Sequence, residues 1–299
     1  MNKKHEICRC PRLRFSSYRL ILALALIIVC QLSARGVRYH CAADSAAVME
    51  IVRQAASEER FGSKVVAAAR ALKDIPLAKS ADNDTIGTVV VRLDSLSPTE
   101  FINICLAAAR TANLSSPSIT DFEKNLVEVS RKKGVDNGFL SRFLYGSEWI
   151  VDNIYRGNLK EMTEYLPGSV FSTVTLDYVG RHPEEFPALS NPDNLDKVKQ
   201  IEFSLRSHRI PYMKKHAIGS KNVSELMEDG DILMLLSPAS DYDLYDIGVV
   251  VKDPANGQPH LIHILKTKNM VVEDPYPLSR LTKIEGQFFN GFRWLRPQE

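Results

Sequence analysis

Helical and strand-like patterns do not alternate along this chain; they come in two blocks, and that order limits the folds open to it. Apolar residues recur at helical spacing over 44–60, with Val48, Ile51 and Val52, and over 63–73, with Val65, Val66 and Ala69. Further helices are expected over 98–113, within 116–134 from a start at Thr120-Asp-Phe-Glu123, and near 195–207. Residues 75–84 read as a loop, as does the proline-marked stretch with Pro183, Pro187 and Asn191-Pro192-Asp193-Asn194. Beyond Ser220 the texture changes, and 231–236, 247–251, 261–265 and 288–295 read as strands separated by turns such as Pro254-Ala-Asn-Gly257. Helices first and an antiparallel sheet afterwards is an α+β order. At 299 residues, 44% hydrophobic and 25% charged, the chain can bury one substantial core, and it shows no repeat or low-complexity segment.

The amino terminus carries its own message. Lys3, Lys4, Arg9, Arg12, Arg14 and Arg19 precede an apolar run over 20–30, the n-region and h-region of a secretory signal. That run is shorter than the ~20 residues of a spanning helix. Residues 1–36 are therefore expected to be a signal peptide cleaved after Ala34-Arg35-Gly36, leaving 37–299 as a single exported domain, periplasmic or extracellular. An uncleaved signal anchor is the alternative, and the only membrane contact envisaged. A formal net charge of +2 gives no footing for a nucleic-acid partner. Of five cysteines, Cys8, Cys10 and Cys30 leave with the leader. A disulfide between Cys41 and Cys105 stays open on spacing alone, although Cys105 fits an inert core position.

Ser97-Pro98-Thr99-Glu100-Phe101 is a strong helix start, with Ser97 as N-cap, Pro98 at the first helical position and an S-x-x-E capping box. The surrounding stretch from Val91 to Arg110 also resembles a pattern of the type L-D-x-x-D-C-x-T-F-V-E, with Leu93, Asp94 and Phe101 in place and Thr99 one position early. Downstream, Ser141, Arg142, Tyr145, Trp149, Ile150 and Asn153 match S-R-x-H-Y-x-x-D-W-I-x-x-N, with Leu144 for its histidine and Glu148 for its aspartate. Glu228-Asp-Gly-Asp-Ile232 resembles a G-D-I strand start, Asp241 to Val249 the strand L-D-x-x-H-x-G, and Pro259-His-Leu-Ile-His263 the strand after it. These segments resemble the N-acetylmuramoyl-L-alanine amidase-like family, relatives of the NlpC-type papain-like cell-wall cysteine peptidases, over most of 61–295.

The resemblance implies a papain-like, NlpC-type fold with amino-terminal helices packed on a carboxy-terminal antiparallel sheet. It puts Pro98 at the nucleophilic cysteine, Asp246 at the catalytic histidine, and His263 at a retained third, orienting position. Leu77 stands where the family has a substrate-facing tyrosine. With thiol and imidazole both gone, the resemblance implies an exported, catalytically inactive domain that binds a peptidoglycan fragment or a protein partner. An active hydrolase of peptidoglycan amide bonds using a non-standard site is the alternative, and a purely structural surface protein a third.

Ser97, Thr99, Arg142, Tyr145, Trp149 and Asp243 are the ligand-binding candidates, although a Trp within Glu-Trp-Ile-Val spacing more often packs into a core. Asp241, Asp243 and Asp246 with His260 and His263 have metal-ligand chemistry, but an Asp-rich turn more often caps its own backbone, so no metal and no cofactor is assigned. Ser97 paired with Asp246 makes a poor hydrolase, because an ionised carboxylate is a weak base for a hydroxyl unless an imidazole intervenes. His182, His208 and His216 read as surface residues.

Overall fold

The computed structural model describes residues 36–78, 88–206, 208–283 and 288–299. The expected leader, apart from Gly36, and the expected loop from residue 79 onward lie outside them. Val37–Glu299 form one compact unit.

Four helices make up the first layer: α1 (Ala42–Ala56), α2 (Phe61–Ala71), α3 (Pro98–Ala112) and α4 (Ile119–Ser130). Helix α3 is central, and Phe101 through Ala109 are all buried, as expected of a helix apolar on every side. A short parallel pair, β1 (Arg38–Tyr39) with β2 (Val90–Val91), lies beside this layer's sequence. After α4 come α5 (Gly146–Tyr155) and α6 (Pro192–Leu205).

An antiparallel sheet of eight strands forms the second layer, in the order β4-β5-β10-β6-β7-β8-β9 with β3 on β10. Its strands are β3 (Leu159–Glu161), β4 (Val170–Thr173), β5 (Arg209–Lys214), β6 (Ile232–Leu236), β7 (Leu244–Lys252), β8 (Pro259–Leu265), β9 (Met270–Glu273) and β10 (Gly291–Pro297). Alternate residues serve two cores. Ile232, Met234, Ile247, Val249, Val251, Ile262 and Ile264 join the helices, whereas Leu233, Leu235, Val250, Leu261 and Trp294 pack with Met213, Ile218, Leu278 and Phe289 on the other face. Burial on both faces explains why these strands read as apolar runs. A third cluster, including Tyr145, Val179 and Leu205, lies under α6.

Helices before strands is thus the order only in outline: β3, β4 and β5 precede Ser220. Strands of three or four residues carry too little alternation to be seen, and Pro211 within β5 argues against a strand by removing an N–H. Helix α4 starts not with Thr120 but from Ser118, whose hydroxyl accepts the Asp121 N–H (3.2 Å) while Asp121 accepts that of Ser118 (3.1 Å). Asn191-Pro192-Asp193-Asn194, expected to close a loop, opens α6, because the Asn191 side chain accepts the Asp193 N–H. The Cys41–Cys105 disulfide does not form: Cys41 is exposed and Cys105 buried, both as thiols.

Two features set the sheet end where β7 begins. The β6–β7 register shifts between Leu235 and Leu236, opposite Asp246 and Leu244 respectively, which makes Tyr245 the extra residue of a bulge. The start of α3 is tied to the β8–β9 turn by backbone bonds from Leu96 N–H to Pro76 (2.8 Å), from Ala78 N–H to Leu96 (3.0 Å) and from Leu77 N–H to Asn269 (2.7 Å).

The capping box at α3 is present as read: Ser97 Oγ accepts the Glu100 N–H (3.3 Å) and Glu100 accepts that of Ser97 (2.8 Å). Ser97→Ala should therefore lower stability by about 1 kcal/mol. Urea unfolding checks this, with the midpoint falling, the slope unchanged, and Ser97→Asp restoring most of the loss.

Candidate functional site

Strands β7 and β8 lie side by side with Val249 opposite Ile262. At Gly248 a Cβ would come within 2.8 Å of the His263 Cβ, the Ile262 carbonyl and the Leu261 side chain. Glycine leaves the room in which His263 lies, on the sheet face away from α3. The His263 ring is wholly buried; Nδ1 donates to Asp246 Oδ2 at 2.6 Å, and Nε2 stands 3.7 Å from Asp274 Oδ2. The remaining Asp246 oxygen accepts the Ile247 N–H (2.8 Å), and Asp274 Oδ1 accepts that of Tyr276 (2.9 Å). Both carboxylates are themselves 2% exposed, so the group is almost entirely withdrawn from solvent.

Burial is the strongest influence on this imidazole and opposes its charge; Asp246, then Asp274, override it and hold the ring up to about 9 from an ordinary 6.5. Asp274 in turn is lowered, because the histidine more than offsets burial. The result is a carboxylate–imidazolium–carboxylate stack. Among the described residues no nucleophile is hydrogen-bonded to it.

The candidate residues divide accordingly. Asp246 and His263 are brought together. Ser97, Pro98 and Thr99 point to the same end of the sheet but have no contact with them: Ser97 bonds to Glu100 and to the Thr99 hydroxyl (3.3 Å), and Pro98 supplies neither N–H nor side-chain polarity. The Ser97–Asp246 pair is therefore absent. Cys105 is fully buried in α3, and burial pushes its thiol well above the ordinary value.

Three ligand candidates, Asp243, Tyr145 and Trp149, have their polar groups engaged within the fold. Asp243 accepts the Gly146 and Ser147 N–H groups (3.0 and 2.7 Å), capping α5 with a buried carboxylate. The Tyr145 hydroxyl donates to buried Glu202 at 2.6 Å. Trp149 is a core residue whose indole N–H is shared between Asn103 Oδ1 (3.0 Å) and the Val129 carbonyl (2.9 Å). Arg142 is half-buried and bridges Arg131 through the backbone. Nor do the carboxylates and histidines of the supposed metal set converge: Asp241 pairs with Arg181, and His260 Nδ1 meets the Asp274 carbonyl (2.9 Å).

Asp274 is the participant that sequence reasoning missed. Its cue was slight, an acidic pair ahead of Pro275 after the apolar Val271-Val272.

An imidazolium favoured in the fold and less so in the unfolded chain stabilises the protein fully below pH 6.5, and that contribution is lost as pH rises through about 9. Unfolding free energy should thus fall across that window. Asp246→Asn should flatten the fall, as urea titrations at pH 6, 7.5 and 9 will register.

In fold the chain is similar to an N-acetylmuramoyl-L-alanine amidase from Bacteroides uniformis ATCC 8492, with 24% identity and a TM-score of 0.71 over 81% of this chain and 100% of that one. It is similar also to a Legionella pneumophila protein from a domain family of unknown function, with 13% identity and a TM-score of 0.64 over 85% and 94%. No curated protein matches it. The family model described as N-acetylmuramoyl-L-alanine amidase-like matches residues 75–285, and the chain belongs to that family.

Proposed function

We propose that the protein is an exported, catalytically inactive relative of the NlpC-type papain-like cell-wall peptidases that binds a peptidoglycan-derived peptide without cleaving it. The observation that carries this reading is the sealed His263. A thiol mechanism needs an imidazole that reaches a thiolate, and a thiolate poised to attack. Here the imidazole is held between two carboxylates, and the sequence resemblance puts Asp246 at the family's base and Pro98 at its nucleophile. The buried Cys105 supports no thiolate, and the Ser97 hydroxyl is engaged in its cap. Export rests on the charged and apolar leader over residues 1–36.

Two measurements test these points. Incubated with peptidoglycan or its muropeptides, the purified protein should release no stem peptide, and iodoacetamide should change nothing; hydrolysis that persists after a contaminating enzyme has been excluded refutes inactivity. Amino-terminal sequencing of protein made in a bacterial host should give a start near Val37, and an intact Met1 in the soluble cytosol would sink the export reading.

A further inference from the structure

The stretch of chain between β4 and α6 gathers three metal-binding groups outside the site already described. One helical turn over Tyr178–Arg181 runs into a tighter turn over Pro183–Glu185, with the His182 N–H on the Tyr178 carbonyl (3.0 Å) and the Glu185 N–H on the His182 carbonyl (3.1 Å). At about three residues per turn, His182 and Glu185 come to one side. Glu184 Oε1 stands 3.5 Å from His182 Nδ1. One ligand atom from each of His182, Glu184 and Glu185 lies within 4.8 Å of the other two. Tyr178 orients two of the three: its ring lies against the imidazole, with centroids 4.4 Å apart, and its hydroxyl stands 2.9 and 2.8 Å from the two Glu185 oxygens. A hydroxyl has one proton to give, so one of those oxygens goes without it. Among the described residues neither glutamate pairs with a lysine or arginine, and the adjoining Arg181 is engaged by Asp177 (3.0 Å) and Asp241.

We propose that His182, Glu184 and Glu185 bind a divalent cation of the zinc class, with Tyr178 as the positioning residue and water completing the shell. Imidazole joined to carboxylates is a donor set for zinc, whereas calcium and magnesium take oxygen ligands. Bonds of about 2.0–2.2 Å hold tetrahedral ligand atoms about 3.5 Å apart, and His182 and Glu184 already stand at that spacing. Both glutamate side chains are exposed, so small torsions bring the third ligand in. The Tyr178 hydroxyl keeps one Glu185 oxygen and turns the other to the ion, the part that a hydrogen-bonded neighbour plays for a ligating carboxylate. A bound cation also supplies the counter-charge that the two glutamates lack. It fastens the turn from which Val179 and Leu189 enter the cluster under α6.

The test is calorimetric titration of the full chain, stripped of metal with a chelator, with zinc chloride. Cys8 and Cys10 in the leader can hold zinc of their own, so the quantity read is the difference between the unaltered chain and its variants. His182→Ala should take up one equivalent fewer. Tyr178→Phe, which keeps the ring and loses the hydroxyl, should bind that equivalent about tenfold more weakly. Zinc should also raise the melting temperature of the unaltered chain by more than that of His182→Ala. Circular dichroism verifies that each variant folds, and Glu184→Gln, at an exposed side chain, replaces His182→Ala if the latter does not, with a loss of about tenfold or more expected. No uptake of zinc, or an uptake indifferent to His182→Ala and Glu184→Gln, overturns the site. An affinity indifferent to Tyr178→Phe alone overturns the positioning role given to that hydroxyl.

Discussion

An imidazolium in a sheet covered on both faces has to be neutralised where it stands. Withdrawing such an ion from water costs several kcal/mol, and the cost falls due unless opposite charge lies beside it. His263 meets this demand from two strands, with Asp246 on β7 and Asp274 just beyond β9. The register of three neighbouring strands thereby becomes interdependent. A one-residue slip of β8 would carry His263 to the face of Ile262 and Ile264, among the helices, and leave two carboxylates buried without a cation. Gly248 belongs to the same constraint, because a side chain there would occupy the histidine's space.

Polar groups elsewhere in the interior follow the same logic on a smaller scale. Asp243 is buried because two backbone donors at the start of α5 need an acceptor; Tyr145 and Glu202 satisfy each other between α5 and α6. Each looks like a ligand contact in the sequence, and each joins elements of the fold. Asp243, Tyr145 and Glu202 are thus matched to partners inside the molecule.

The large outline of the fold was legible because it rests on local signals. The Ser97–Glu100 box marked the start of α3, and apolar runs marked β6, β7, β8 and β10 to within a few residues. Short strands were not legible, since β3 and β4 owe their existence to neighbours distant in sequence and Pro211 disguises β5. In the site, the pairing of Asp246 with His263 was implied by the family's pattern. Asp274 was not, for its role depends on a strand register that no local spacing encodes. Trp149 was legible as core because an indole among apolar neighbours has few other places to go.

The start of α3 has a consequence for what that end of the helix can attract. A bare helix terminus offers unmatched donors to an anion. Here Ser97 and Glu100 answer each other's backbone groups, Pro98 removes one donor outright, and the Glu100 carboxylate stands within the same turn. A cysteine placed at residue 98 would find a neighbouring negative charge that discourages the thiolate. The box that starts the helix therefore also closes it: the donors that would draw an anion to this terminus are already answered from within the turn, and any substitution that opened the terminus to a ligand would give up the cap at the same time.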